Sequence, residues 1–557
     1  MVKKIVNIQD ISKLVSITDL ELSPDSNDIV FVSTTIDEKE NVYKDILYHI
    51  DLKTREHHQW TYGKGRISSP KWSADSSAVA YLAEQNGNNQ LFVLSVAEKQ
   101  VIPVTHSDTS IERFEWSPCG TKIWISGILE KELTSTSLYQ QIGFLNMETK
   151  KIEQVLVGDF QYRLEAISHN GKKIVYGITQ EKNHEFVAGQ PLYIYDIETK
   201  EQTMITENQG HFNGVAFSQD DSKIAYIGNM RQHGDATHKE LYIADLQTQT
   251  NFCLTEGLDV PVGDYAVGDF QNTTSMVPVW TKDDHLYFQV STMGDVRLYF
   301  ASLDGMIFPA SPEMEHVIDY DVSYDGEFAI LAISNLTKPV ELYRLEITTG
   351  EVEQLTTFNQ TYVESTVLLE GQPTITMGAM ESVHSWLVAP INIQEGEKYP
   401  LIVKVHEDMH GMFANTFSHE LQLLTAQGYG VLAINPSGSH GYNQEFAKAG
   451  SEFAYKDMMT AVAEVVETIE WIDDRRLAVI GDSYAGLLTK LLFLDTKKGD
   501  RPINEQTDQF ALKLESMEED TKFVRLTEAS LNHLNVHKPS YWVDRLEQKL
   551  NWLEEYV

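Results

Sequence analysis

The sequence predicts two domains of different class: a seven-bladed, all-β propeller over residues 1–355, then an α/β domain with a mainly parallel and shortened sheet over residues 356–557. Three observations carry this. At 557 residues the chain is too long for a single hydrophobic core. A turn-and-strand unit recurs seven times in the first part. Past about residue 356 the apolar period of two gives way to strands alternating with helices.

The repeat opens with a polar turn and continues into an apolar strand. It begins at Ser23, Ser73, Ser117, Ser168, Ser218, Thr281 and Ser323, at separations of 50, 44, 51, 50, 63 and 42 residues. That is the length of four short strands. A second phrase follows each turn: LYHIDLKT at 47, LFVLSVAE at 91, IGFLNMET at 142, LYIYDIET at 192, LYIADLQT at 241, LYFASLDG at 298 and LYRLEITT at 342. Each is an alternating strand closed by a polar turn, as radially arranged sheets with short edges require. A β-sandwich with chance similarity does not account for seven matches at both offsets, and a helical solenoid needs a period of about 3.6. The stretch 256–280 is longer than a link between blades needs and is expected to reach over the propeller rim.

Composition narrows the partners. With 44 Lys and Arg against 82 Asp and Glu, the formal charge of −38 repels phosphate backbones and anionic lipid, so neither nucleic acid nor a membrane surface is expected to bind. Two cysteines, Cys119 and Cys253, exclude a disulfide framework and suit a reducing compartment. The N-terminal MVKKIVNIQD has no apolar core of a secretory signal, and no run of about 18 apolar residues occurs. The expected location is the cytoplasm. No metal-ligand spacing is seen; a homo-oligomer is compatible with the sequence.

In the second part, YPLIVKVH (399–406) reads as a buried strand, 417–428 as a helix and 429–438 as a strand entering a turn. Residues 457–472 read as a helix, 476–486 as a strand running into a sharp turn, and 487–495 and 540–557 as helices. The turn reads Gly481-Asp482-Ser483-Tyr484-Ala485-Gly486. Between an apolar strand and an apolar helix, such small residues hold a serine hydroxyl upright, and the first helical N–H groups, Tyr484 among them, face the position of a tetrahedral oxyanion. A glycine pattern of this kind is weak alone, since an ordinary strand-to-helix turn can carry a capping serine; the strand–turn–helix context gives it weight. Serine needs a base and the base an orienting acid. Downstream stand only His533 and His537; His533 follows the strand-like TKFVRLT (521–527), and Asp500 is the candidate acid.

Propeller and elbow together resemble the prolyl oligopeptidase family, in particular its acylaminoacyl-peptidase and bacterial dipeptidyl-peptidase-like branch. YPLIVKVH, GYGVLAINPSGSHGYNQEF, WIDDRRLAVIGDSYAG and DRPINEQTDQFALKLES follow the family's signatures in order, and the resemblance covers essentially the whole chain. It implies an α/β-hydrolase domain with Ser483 as nucleophile, His533 as base, Asp500 as acid and Arg501 as the arginine that follows it. It also implies a cofactor-free serine peptidase acting on short peptides, with the propeller screening out folded proteins.

The chain departs from that pattern. The family's His-Gly-Gly-Pro is His406-Glu407-Asp408-Met409, so the backbone N–H offered to the oxyanion falls to Glu407, and two carboxylates stand where glycines approach the substrate. The family's Asn-Pro-Arg-Gly is Asn435-Pro436-Ser437-Gly438, and its Gly-Asp-Trp-Gly is Ser451-Glu452-Phe453-Ala454. Ser483 and Asp500 are 17 residues apart, too few for two more strands with their crossovers. Two readings follow: an active serine peptidase releasing acyl-amino acids or dipeptides through an acyl-enzyme, or a catalytically impaired relative serving as a peptide-binding or interaction module.

Overall fold

A computed structural model describes residues 3–63, 65–106, 109–129, 139–179, 189–269, 277–406, 408–481 and 538–557. The turn chemistry read from the sequence builds the first domain. At Ser23, Ser73, Ser117, Ser168, Ser218 and Ser323 the serine N–H bonds the carbonyl five residues on, closing the hairpin between the first two strands of each blade; at Thr281 it bonds the carbonyl of His285. In five of these turns the serine hydroxyl donates to an acceptor two residues on: Asp25, Asp75, Asn170, Asp220 and Asp325. That side chain in turn accepts a backbone N–H two residues further along. This is the local competition that makes Ser and Asp turn residues.

Each turn joins the first two strands of an antiparallel four-stranded sheet, and the described residues form seven such sheets, the sixth and seventh touching through one parallel bridge, Val296 to His316. A further repeat went unread in the sequence. In blades one, two, four, five and seven the N–H of a leucine in the third strand donates to a threonine hydroxyl 14 residues later: Thr61, Thr105, Thr206, Thr255 and Thr356. In blade six Ser311 does the same for Leu298. The hydroxyl ties the end of the outer strand to its neighbour.

The first and last blades are each built from consecutive strands, so no strand crosses the seam between them. Side chains close it. Asp319 and Asp321 on the inner strand of blade seven accept the N–H groups of Leu20 and Leu22 on blade one, both at 2.8 Å. Asn359 exchanges hydrogen bonds with both backbone groups of Val15 at 2.9 Å and reaches the Val340 carbonyl at 3.0 Å. Beneath, Ile17, Ile29 and Phe31 share one core with Ile318, Ile330 and Leu342.

Strands and helices of the second domain are numbered on their own. Its helices are α1 (Gln360–Ser365), α2 (His419–Ala426), α3 (Gln444–Ala447), α4 (Ser451–Thr468) and α5 (Ser540–Tyr556). Its strands are β1 (Gly371–Met377), β2 (Ser382–Val388), β3 (Tyr399–Lys404), β4 (Gly430–Asn435) and β5 (Ile472–Ile480). The sheet order is β1-β2-β4-β3-β5, with β3 parallel to both β4 and β5 and the β1–β2 hairpin antiparallel to the rest. That hairpin went unread because β1 is a largely exposed edge strand. Alternate residues face opposite ways: Leu401, Val403 and Leu432 pack against α4, while Ile402 and Val431 pack against α2 and α5. Both faces being covered makes β3 a continuous apolar run.

The α4 helix begins at Ser451, six residues before the expected start, and ends at Thr468. Ile469 and Trp471 keep the apolar rhythm into the same core from extended backbone, which disguised the helix end. The strand β5 begins at Ile472, its polar Asp473-Asp474-Arg475-Arg476 lying at a register shift. The expected helix at 487–495 and the strand-like 521–527 lie outside the described residues.

The N-terminal segment joins the second domain. Lys4 bridges Thr366 in parallel, Val6 enters the core of α2 and α5, and Ile11 and Leu14 pack with Tyr362, Phe417 and Trp542. Across the domain, buried Glu420 on α2 is ion-paired to Lys404 of β3 and Lys549 of α5. Burial alone would raise its carboxyl; the two ammonium groups instead hold it far below the ordinary 4.5. Its contribution to stability is therefore present above about pH 4.5 and is lost as the pH falls below that value. Glu420→Ala, which removes a buried counter-charge from Lys404 and Lys549, is expected to cost about 3 kcal/mol at neutral pH. Urea midpoints of wild type and Glu420→Gln should converge as the pH is lowered toward about 3, and midpoints that stay apart by the same margin would refute this role.

Blade three breaks the turn pattern, because Cys119 occupies the acceptor position. Its Sγ lies 3.1 Å from the Ser117 hydroxyl and 3.0 Å from that of Thr121. Those hydrogen bonds bring the exposed thiol down to about 7, whereas burial pushes Cys253 up to about 12. Alkylation by iodoacetamide, followed by peptide mass spectrometry, should modify Cys119 with a half-maximal rate near pH 7 and leave Cys253 unmodified.

Candidate functional site

The parallel strands β3, β4 and β5 end on one edge, where an open α/β sheet places its ligands. The strand β5 delivers Ile480 and Gly481 there, at the start of the elbow sequence, and Val405 donates its N–H to the Ile480 carbonyl at 3.0 Å. The loop that follows β3 therefore sets out beside the strand end that precedes the elbow sequence. Ser483, Tyr484, Asp500, Arg501, His533 and Glu407 all lie outside the described residues. The described surroundings are the loops after β3 and β4 and the propeller segment that covers them.

His406 is buried, with Nδ1–H directed at the Asp408 carbonyl and Nε2 3.0 Å from the Ser439 hydroxyl. Burial lowers its pKa to about 4, so the imidazole is neutral at neutral pH. Asp408 turns the chain without left-handed backbone: its carboxylate accepts the His410 N–H at 3.0 Å and its carbonyl accepts the Gly411 N–H at 3.2 Å. The carboxylate that the sequence sets near the oxyanion position is thus engaged with the backbone of its own turn. Loss of the glycines is met by a polar turn.

Asn435 at the end of β4 holds the two loops together. Its amide accepts the Phe413 N–H at 2.7 Å, donates to the Phe413 carbonyl at 2.8 Å and reaches the Tyr442 hydroxyl at 3.1 Å. The following Ser437 stands where the family has arginine. Its N–H and hydroxyl both donate to Asp457 of α4, which also accepts the Ala379 N–H from the β1–β2 connection at 2.7 Å. Gly441 has a φ of 88°, and a Cβ there would meet the Met412 sulfur at 2.1 Å, so no other residue lets these loops approach.

The propeller segment expected to reach over the rim does so across its described part. Tyr265 and Val267 exchange backbone hydrogen bonds with Met412, each 2.9 Å long. Asp269 accepts the Ser418 hydroxyl and the Glu420 N–H, capping α2 from the other domain. The Tyr265 ring lies 4.2 Å from His440, which neighbours His238 at 5.3 Å and His410 at 5.4 Å. Burial lowers His440 to about 3 and His238 to about 4, so both rings are neutral packing groups at neutral pH. Among the described residues no set of His, Cys, Asp or Glu gathers as metal ligands. Sequence reasoning missed Asp457, Tyr265 and the histidine group; only the paired phrases DMHG and GSHG hinted that two histidines meet.

A propeller packed over the carboxyl edge of an α/β sheet, with an elbow sequence leaving its last described strand, defines a propeller-capped α/β-hydrolase. Residues 415–498 match the prolyl oligopeptidase family, and residues 132–303 match the N-terminal β-propeller domain of acylaminoacyl-peptidase. The chain is 26% identical to the uncharacterized peptidase YuxL of Bacillus subtilis over 661 positions, covering 100% of both chains. It is 21% identical to dipeptidyl-peptidase 5 of Porphyromonas gingivalis, covering 84% of this chain and 74% of that one. Among solved structures, the acylaminoacyl peptidase of Pyrococcus horikoshii superposes with a TM-score of 0.73 at 20% identity, over 89% of this chain and 78% of that one. By these matches the chain is similar to serine peptidases of the prolyl oligopeptidase family.

Asp457 is the buried group on which the loop after β4 rests. Asp457→Ala is expected to destabilise the protein by about 3 kcal/mol, because it strands three donors, and Asp457→Asn by less. Denaturant midpoints that match wild type for both variants would overturn this assignment.

Proposed function

We propose that the protein cleaves short peptides near their N-terminus, releasing acyl-amino acids or dipeptides. The Ser483 hydroxyl attacks the scissile carbonyl while His533 takes its proton, and Asp500 orients the imidazole. The proton then passes to the departing amine. Water, deprotonated by the same histidine, attacks the acyl-enzyme and regenerates the serine. Backbone N–H groups of Tyr484 and Glu407 receive the oxyanion, and Arg501 contacts the substrate.

The observation that carries this reading is the position of Gly481. It stands at the carboxyl edge of the parallel sheet, with Val405 bonded to the preceding residue, so the elbow sequence starts where an α/β-hydrolase needs its nucleophile. The activities for which similar proteins are named, acylaminoacyl peptidase and dipeptidyl-peptidase, support this substrate class. Two free thiols accord with work in the cytoplasm.

A second reading, a catalytically impaired relative that binds peptides, draws on particular residues. Ser437 replaces an arginine and is spent on Asp457, and Ser483 and Asp500 are only 17 residues apart. A fluorophosphonate probe separates the two. On the first reading it labels the folded protein and fails on Ser483→Ala. A folded wild-type protein that takes up no label leaves the second reading standing.

A further inference from the structure

The links between the second and third strands of blades five, six and seven all meet the second domain. Ala236 and His238 bond Gln444, Met293 and Gly294 bond Gly441 and Asn415, and Leu336 bonds Gln422. That face of the ring opens toward the candidate site, and the inner-strand residues nearest to it line the mouth of the central channel. On blades three and four these are Arg113 and Arg163, paired in register with Ser126 and Gly177 near the ends of the second strands. On blade five Lys239 stands just before the third strand.

Arg113 and Arg163 share one carboxylate, while the nearby Glu115 is taken by Lys71. Glu165 pairs with both Arg113, at 3.3 Å, and Arg163. Two further hydrogen bonds spend Arg163 on neutral groups, the Gln190 amide oxygen at 3.2 Å and the Phe212 carbonyl at 2.9 Å. Lys239 has no ion-pair partner among the described residues; its ammonium lies 5.9 Å from the centroid of the Tyr265 ring. Burial, and then the neighbouring charge of Arg163, lower its pKa. Half-desolvated cations short of counter-ions gain strongly from an arriving anion. On a chain of net charge −38 such a local surplus of positive charge runs against the overall field.

The surplus adjoins the candidate site. Tyr265, beside Lys239, packs on His440 of the loop after β4 and pairs with Met412 of the loop after β3, and that same loop leaves β3 alongside Ile480. We infer that Lys239, backed by Arg163 and Arg113, receives a carboxylate on the leaving portion of the peptide, so that the protein selects short substrates by the free C-terminus a few residues beyond the scissile bond. The inference rests on the proposed peptidase function and adds a specificity-determining residue to it. It also gives the channel mouth a task besides exclusion, because a long or folded chain brings no terminal carboxylate within reach.

The test compares three otherwise identical N-acetylated tetrapeptides: a free acid, a C-terminal amide, and an amide carrying Glu at the last position. Each is incubated with the full chain as wild type, Lys239→Gln and Lys239→Arg. Released peptide is quantified by chromatography, and binding of the same peptides to Ser483→Ala protein, with and without Lys239→Gln, is measured by calorimetry. The expected result is a preference for the acid over the amide of about tenfold, carried by KM rather than kcat. That preference should collapse toward one in Lys239→Gln and persist in Lys239→Arg. Recovery by the Glu-containing amide would assign the carboxylate to a side chain as well as to the terminus. Equal handling of acid and amide by wild type, or an unchanged preference in Lys239→Gln, overturns the inference. If no peptide is turned over, the peptidase reading fails; acid-selective binding that depends on Lys239 still upholds the carboxylate site, and its absence removes it.

Discussion

A ring of sheets must close, and here it closes without a shared strand. The seam between the first and last blades depends on Asp319 and Asp321 reaching across to Leu20 and Leu22, on the common core beneath them, and on Asn359 joining Val15 to Val340. Burial raises the carboxyls of Asp319, to about 8, and Asp321, to about 6, so both are closer to neutral than surface aspartates. Both connections between the domains pass this point: the chain enters blade one at Val15 and leaves blade seven at Asn359. The seam consequently fixes where the second domain sits against the ring, and with it which blades overhang the carboxyl edge of the sheet.

That placement accounts for the crowding between the domains. Blades five to seven and their links contribute Gln444's partners, the Tyr265 segment and the Asp269 cap, while Asn435 and Asp457 hold the facing loops from below. Three lowered imidazoles and a raised phenol at Tyr265 share one cause, exclusion of water from this contact. Polar groups here serve chiefly to hold loops, and the unmatched positive charge lies one layer further in, at the channel mouth.

The propeller was legible because its signals are local. Serine-led turns and alternating strands repeat with the chemistry that forms them, and even the exception at Cys119 keeps the hydrogen bonds of its neighbours. The threonine 14 residues after each leucine was equally regular but invisible, since its meaning depends on a strand pairing that only the folded blade defines. In the second domain the buried strands were read correctly where both faces are apolar, and misread where a polar run opens β5 or where Ile469 and Trp471 prolong a helical rhythm past the helix end. Of the candidate site, the sequence disclosed the strand that leads to Gly481, while Ser483 and Tyr484 lie outside the described residues. Asp457 acts across 20 and 78 residues and Tyr265 from another domain, and no spacing encodes them.

The attachment of residues 4–14 to α2 and α5 makes the hydrolase unit discontinuous, with its two parts lying on either side of the whole ring. Such a unit cannot finish folding as the chain emerges. Val6, Ile11 and Leu14 must wait, exposed, until helices made long afterwards arrive to cover them. The ring in between is thereby leashed at both ends to the same partner, so that slackening of one domain is transmitted to the other as tension on its closure.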